Sequence, residues 1–122
     1  MENTLILDTL NKLMGYHIRT REFHWEAVPN HGLHTQIEDF DSDLYEFIDE
    51  IAEDAQCMFG KIAPGEITPE LPESANFKDM LRDVRVLLAT LKDQMQEKCW
   101  TGIVNCIDDF WHVVNKNIYL LG

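Results

Sequence analysis

No stretch of this sequence reaches the roughly eighteen consecutive apolar residues that a membrane-crossing helix needs. The opening Met1-Glu2-Asn3-Thr4 carries neither a basic leader nor an apolar segment, so no secretory signal is expected and a cytoplasmic location is. Cysteine is scarce: Cys57, Cys99 and Cys106 are three, an odd number, at spacings that match no zinc knuckle and no redox pair. They are expected to be reduced thiols serving as small buried hydrophobes. Basic residues are also few, ten against twenty-two acidic ones, for a formal net charge of −12. Such a balance repels phosphate backbones and attracts cations, so direct DNA binding is not expected. Proline occurs four times, and Pro64, Pro69 and Pro72 crowd into one short stretch, leaving long proline-free segments on either side. No run alternates in the manner of a strand, and no internal repeat or low-complexity segment interrupts the chain.

What remains is helical periodicity. With 122 residues and 45% hydrophobic content, residues 1–122 suffice for one domain with one core. From Thr4 to about Glu26, Ile6, Leu10, Leu13, Met14, Ile18 and Trp25 recur at three- and four-residue steps, with Asn3 or Thr4 available as a cap. Val28-Pro29-Asn30-His31-Gly32 breaks that pattern. A second helix is predicted from about Leu33 to Met58 on Ile37, Phe40, Leu44, Phe47, Ile51 and Ala55, stopping at Gly60. The proline-rich stretch to Ala75 reads as an irregular crossover. A third helix begins near Asn76 with Phe77, Leu81, Val84, Leu88, Leu91 and Met95 in heptad spacing. After a break near Cys99 to Gly102, a fourth carries Ile103, Ile107, Phe110, Val114, Asn117 and Leu121. The predicted fold is all-α, a ferritin-like antiparallel four-helix bundle with a long crossover between its second and third helices.

The informative polar residues lie on the second helix. At about 100° per residue, and with His34 at zero, Tyr45 falls near 20°, Glu38 near 40°, Asp49 near 60° and Glu53 near 100°. Ile48 and Leu44 lie near −40° and −80° on the same scale, so this stripe borders the apolar face and partial burial of its carboxylates is expected. Burying a carboxylate without a partner costs several kcal/mol, and few lysines or arginines are near in sequence. A bound cation meets that need. A mixed imidazole and carboxylate set suits iron, with zinc or manganese as substitutes.

His34 and Asp49 are about 22 Å apart along a helix, too far to share an ion within one chain. They can meet across two copies whose second helices cross antiparallel near Asp43 and Leu44. His24, at the end of the first helix, would then stand beside His34, and a two-fold dimer would hold two equivalent sites.

His24-Trp25, the downstream His34 and the segment Asp49-Glu50-Ile51-Ala52-Glu53 together resemble the Dps family, the ferritin-like mini-ferritins named as DNA-binding proteins from starved cells. The resemblance implies an inter-subunit ferroxidase site with His24 and His34 from one chain and Asp49 and Glu53 from its partner. Glu38 takes the position of an additional acidic ligand, and Trp25 that of the tryptophan beside the site. It also implies a shell of twelve subunits that oxidises Fe(II) with hydrogen peroxide or oxygen and stores ferric mineral. The His24 to His34 interval is two residues shorter than usual in the family, and the lysine-rich extension used for DNA binding is missing. The competing expectation is a non-catalytic helical-bundle assembly or interaction protein whose metal site is degenerate or structural. A single-chain site built on Asp108, Asp109 and His112 of the fourth helix is a further alternative. His17 is expected to hydrogen-bond within the core, His31 to lie in a loop or cap, and Trp100 and Trp111 to serve packing.

Overall fold

A computed structural model describes residues 1–98 and 100–122. It contains α1 (Thr4–Glu26), α2 (His31–Phe59), α3 (Phe77–Glu97) and α4 (Thr101–Leu121), with no strand among the described residues. Three of the four starts use one device. The side-chain oxygen of Asn3 accepts the Ile6 N–H at 3.1 Å, that of Asn30 the Leu33 N–H at 3.1 Å, and that of Asn76 the Asp79 N–H at 2.9 Å. Each bond satisfies a backbone donor that the first helical turn would otherwise leave free. Because Asn30 caps α2, the helix begins at His31, two residues earlier than its apolar pattern predicts. α4 follows Trp100 without a side-chain cap, starting at Thr101 instead of Ile103.

α1 packs on α2, α2 on α4 and α4 on α3, with a lighter contact between α1 and α3. The directions follow from side chains that meet at the ends. Phe59 of α2 lies against Trp100 before α4, with ring centroids 4.9 Å apart. At the opposite end Gln36 Nε2 donates to Asn117 Oδ1 at 3.1 Å, and the Lys78 ammonium donates to the Gly122 carbonyl. Residues 60–76 connect the two halves by running the length of α1. Glu70 N–H donates to the Asn11 carbonyl at 3.0 Å, Thr68 N–H to Asn11 Oδ1 at 2.7 Å, and Arg19 to the Ser74 carbonyl at 3.3 Å. α3 therefore starts at the same end as α2, and each helix is antiparallel to the neighbours it packs on. A single full-length crossover of this kind is the ferritin-like arrangement.

The core is one apolar cluster fed by all four helices. Phe40 is its centre, fully buried, with ring centroids 5.5 Å from Phe77 and 5.8 Å from Phe110. Phe47 stacks on Phe110 at 4.4 Å. Truncating a phenylalanine so placed costs about 3–5 kcal/mol. The residues expected to form the apolar stripes of α2, α3 and α4 are buried, with Leu121 at the chain end only partly so. On α1 three are not: Met14 is only partly buried, Ile18 and Trp25 are exposed, and Phe23 takes the inward position near the helix end. Cys57 is exposed, contrary to the expectation of a buried thiol, because it lies on the outer side of α2. Cys106 is half-buried, and Cys99 lies outside the described residues. Among the described residues no helix is long and apolar enough to cross a membrane.

Candidate metal centre

The short turn between α1 and α2 brings the end of one helix against the start of the next. Ala27 N–H donates to the Phe23 carbonyl and Asn30 N–H to the Ala27 carbonyl, so the chain reverses within four residues. His24, in the last turn of α1, and His34, in the first turn of α2, are thereby stacked with ring centroids 3.8 Å apart and planes tilted by 34°. Glu38 stands one turn beyond His34, and its Oε2 lies 3.9 Å from His24 Nε2. One ligand atom from each of the three falls within 4.8 Å of the others. Among the described residues, no other set of three histidine, cysteine, aspartate or glutamate side chains comes together so closely.

The burial of this cluster is graded. His24 retains 9% of its surface, His34 is half-buried and Glu38 is exposed. Both ring nitrogens of His24 are sealed from solvent and have no hydrogen-bond partner. A buried polar atom left unsatisfied costs about 1–3 kcal/mol, and the bundle tolerates two on one ring. A cation bound at one of them relieves that nitrogen's share of the cost. Ligand atoms about 2.1 Å from a common centre can be at most about 4.2 Å apart. Closing the present cluster to that limit takes less than an ångström. Two nitrogens and one carboxylate leave open positions on any four- to six-coordinate ion, so a substrate or further ligands can enter.

Asp49 and Glu53 are exposed on α2 and do not join the cluster within one chain. Trp25 follows His24 but turns outward, 62% exposed, and Tyr45 is exposed as well. The expectation that the carboxylates at 38, 49 and 53 are partly buried does not hold in the single chain. The buried residues of α2 centre at about −80° from His34, so positions beyond about 20° lie outside the groove that α1 and α4 fill. Asp41, near −20°, is the carboxylate that does go inside.

Asp41 was not distinguished by sequence. Its Oδ1 is 2.6 Å from His17 Nδ1 and its Oδ2 is 3.5 Å from Arg21, so a buried charge is held between two α1 side chains. The legible signal was His17, two turns before His24 on the same side of α1. On α4, Asp108 is engaged by the Lys92 ammonium at 2.7 Å, and no cluster gathers around Asp109 and His112. His31 is the first residue of α2 and is exposed. Trp100 and Trp111 are half-buried against the core.

Comparison of the chain with protein-family models, with curated proteins and with solved structures finds no match in any of the three.

Proposed function

We propose that this chain is a ferroxidase and iron store of the Dps-like mini-ferritin kind, with Fe(II) as the substrate of the His24, His34 and Glu38 cluster. The observation that carries this reading is the stacked pair of imidazoles, with His24 buried and without a hydrogen-bond partner, beside an exposed carboxylate. Imidazole and carboxylate together suit iron, and zinc or manganese would occupy the same atoms. The open coordination positions favour turnover over a closed structural site.

In this reading a second copy completes the site. Asp49 and Glu53 are exposed on the same outer side of α2 as Glu38, and a two-fold crossing of α2 near Asp43 and Leu44 brings the partner's carboxylates to the imidazole pair. Exposed Trp25 and Tyr45 flank that surface and would be covered by the same contact. Two-electron use of peroxide, one electron from each of two Fe(II) ions, would cleave the O–O bond without releasing a hydroxyl radical. Oxygen is the alternative oxidant. Assembly of such dimers into a closed shell, twelve subunits in the family resembled, would retain the ferric product in a cytoplasmic protein with no role in DNA binding.

The test is Fe(II) oxidation by peroxide or oxygen on the purified chain, with its mass measured by light scattering in the same samples. Stoichiometric oxidation by an oligomer that keeps ferric iron in solution supports the proposal. Oxidation no faster than in buffer, from a monomer or dimer, refutes it. His34→Ala and Asp49→Ala discriminate the assembly-only alternative: loss of oxidation with the oligomer intact marks a catalytic site, whereas loss of the oligomer marks a structural one.

A further inference from the structure

Two turns along the α1–α2 seam from the imidazole pair lies a third imidazole. His17 precedes His24 by seven residues on α1 and Asp41 follows His34 by seven on α2, so the two pairs occupy successive levels of one interface about 10 Å apart. Asp41 is buried and faces the Arg21 guanidinium as well as His17. A carboxylate oxygen accepts, so the 2.6 Å contact places the proton on His17 Nδ1. Nε2 is then the free nitrogen. Unlike the nitrogens of His24, it is not sealed from solvent.

His17 and Asp41 line an open cavity of about 430 Å³ together with Arg21, Glu38, Ser42 and Tyr45. Glu38 is common to this cavity and to the metal cluster. A ring anchored through Nδ1 to a buried carboxylate, with Nε2 open to water, is the arrangement of a base.

We infer that the His17–Asp41 pair accepts the protons released when iron is oxidised at the neighbouring cluster; the inference rests on the ferroxidase reading. Oxidation of two Fe(II) by one hydrogen peroxide, with two further waters, yields two ferric oxyhydroxide units and four protons. The two electrons leave the irons and break the O–O bond. The protons cannot stay on His24, His34 or Glu38, whose lone pairs hold the iron. They pass through cavity water to His17 Nε2, where Asp41 balances the imidazolium, and leave from the cavity mouth. The charged and titratable groups facing His17 are Asp41, Glu38 and Tyr45 from α2 and Arg21 from α1. His17 is thus a proton-transfer residue outside the metal's own ligands.

The experiment compares the parent chain with His17→Gln, which keeps a donor for Asp41 but cannot take up a proton, and with His17→Ala. Fe(II) oxidation and proton release are followed together by stopped flow between about pH 5 and 8. Co(II) affinity is measured on the same proteins. The expected result is oxidation slowed by on the order of tenfold or more in both variants, below the range for a fully committed general base because cavity water offers a bypass. The rise of rate with pH disappears, Co(II) affinity stays within about twofold, and a concentrated non-coordinating amine buffer restores the rate. Unchanged rate and pH profile in the variants overturn the inference. So does slowing that no buffer relieves and that comes with weakened Co(II) binding, the signature of a packing role. A wild-type chain that binds Co(II) yet oxidises no Fe(II) overturns the ferroxidase reading and this inference with it.

Discussion

Replacing Gly15 by alanine tests how the crossover is held. Gly15 is buried in the middle of α1, where glycine is about 1 kcal/mol worse than alanine for the helix itself. On propensity alone the substitution would stabilise. A Cβ at this position would, however, lie 1.7 Å from the carbonyl oxygen of Glu70 and 2.5 Å from its carbonyl carbon, inside the backbone of the crossover. No side-chain rotation relieves that clash, so residues 66–70 must lift from α1. Lifting them breaks the bonds Glu70 N–H to the Asn11 carbonyl, Thr68 N–H to Asn11 Oδ1, and Asn11 Nδ2 to the Glu66 carbonyl. At about 1 kcal/mol each the loss is about 3 kcal/mol. Against the propensity gain the net destabilisation is about 2 kcal/mol, or a fall in Tm of about 5–10 °C for a domain of this size. Urea unfolding followed by helical circular dichroism reads this directly. Gly102→Ala is the internal control, because its Cβ would meet Asp54 Oδ2 at an ordinary 3.5 Å and the variant should be as stable as the parent or slightly more so. A Gly15→Ala protein at least as stable as the parent would refute the close packing of the crossover.

The remaining predictions concern the polar groups. His24→Phe removes two unsatisfied buried nitrogens and should raise the metal-free Tm, the gain corresponding to about 1–3 kcal/mol, while abolishing Co(II) binding measured by calorimetry; a lower Tm would show that the imidazole is satisfied in solution. In the parent, Co(II) at a hundredfold excess over its Kd should stabilise by about 2.7 kcal/mol, and His34→Ala should erase the shift in thermal scans. Burial pushes the Cys106 thiol up to about 11, helped by its hydrogen bond to Glu50 and by the charges of Glu50, Asp54 and Asp109, so little thiolate exists at pH 8. Iodoacetamide should modify it on the order of a hundredfold more slowly than a thiol at the ordinary value, as read by peptide mass mapping. Partial burial and then the charges of Glu46 and Asp39 raise the Asp43 carboxyl above its ordinary value, so the folded state holds that proton more tightly than the unfolded one. Stability from this group is present below the unfolded value and falls as pH climbs through the folded one. Asp43→Asn should therefore raise Tm slightly at pH 7 and leave it unchanged near pH 3, which a pair of melts decides.

Most of the fold was legible because each helix declares itself twice, by spacing and by punctuation. The bounds of α1 match the pattern from Thr4 to Glu26, and the crossover was visible in Pro64, Pro69 and Pro72. The start of α2 was less so, since Gly32 obscured the fact that Asn30 already caps the turn. Pairing of His24 with His34 was readable from the short connection between their helices. The exposure of Glu38, Asp49 and Glu53 was not, because a helical wheel gives the angle of a residue but not the width of the groove its neighbours fill. Asp41 differs from Tyr45 by only about 40° on that wheel, yet one is buried and the other open. Gly15 gave no signal at all: its necessity comes from Glu70, fifty-five residues away, and distant backbone leaves no periodic trace.

Asparagine starts three of the four helices, and asparagine is the side chain that ages by losing its amide. The product aspartate still presents an oxygen to the same backbone N–H, and its new negative charge sits at the positive end of the helix, where it is favoured. None of Asn3, Asn30 and Asn76 is followed by glycine, the neighbour that most speeds the reaction. Isoaspartate would be different, because the extra backbone carbon moves the acceptor off the helix axis. Deamidation to aspartate at these positions therefore alters the charge of the molecule and leaves its helix starts capped, whereas the isoaspartate branch of the same reaction uncaps them.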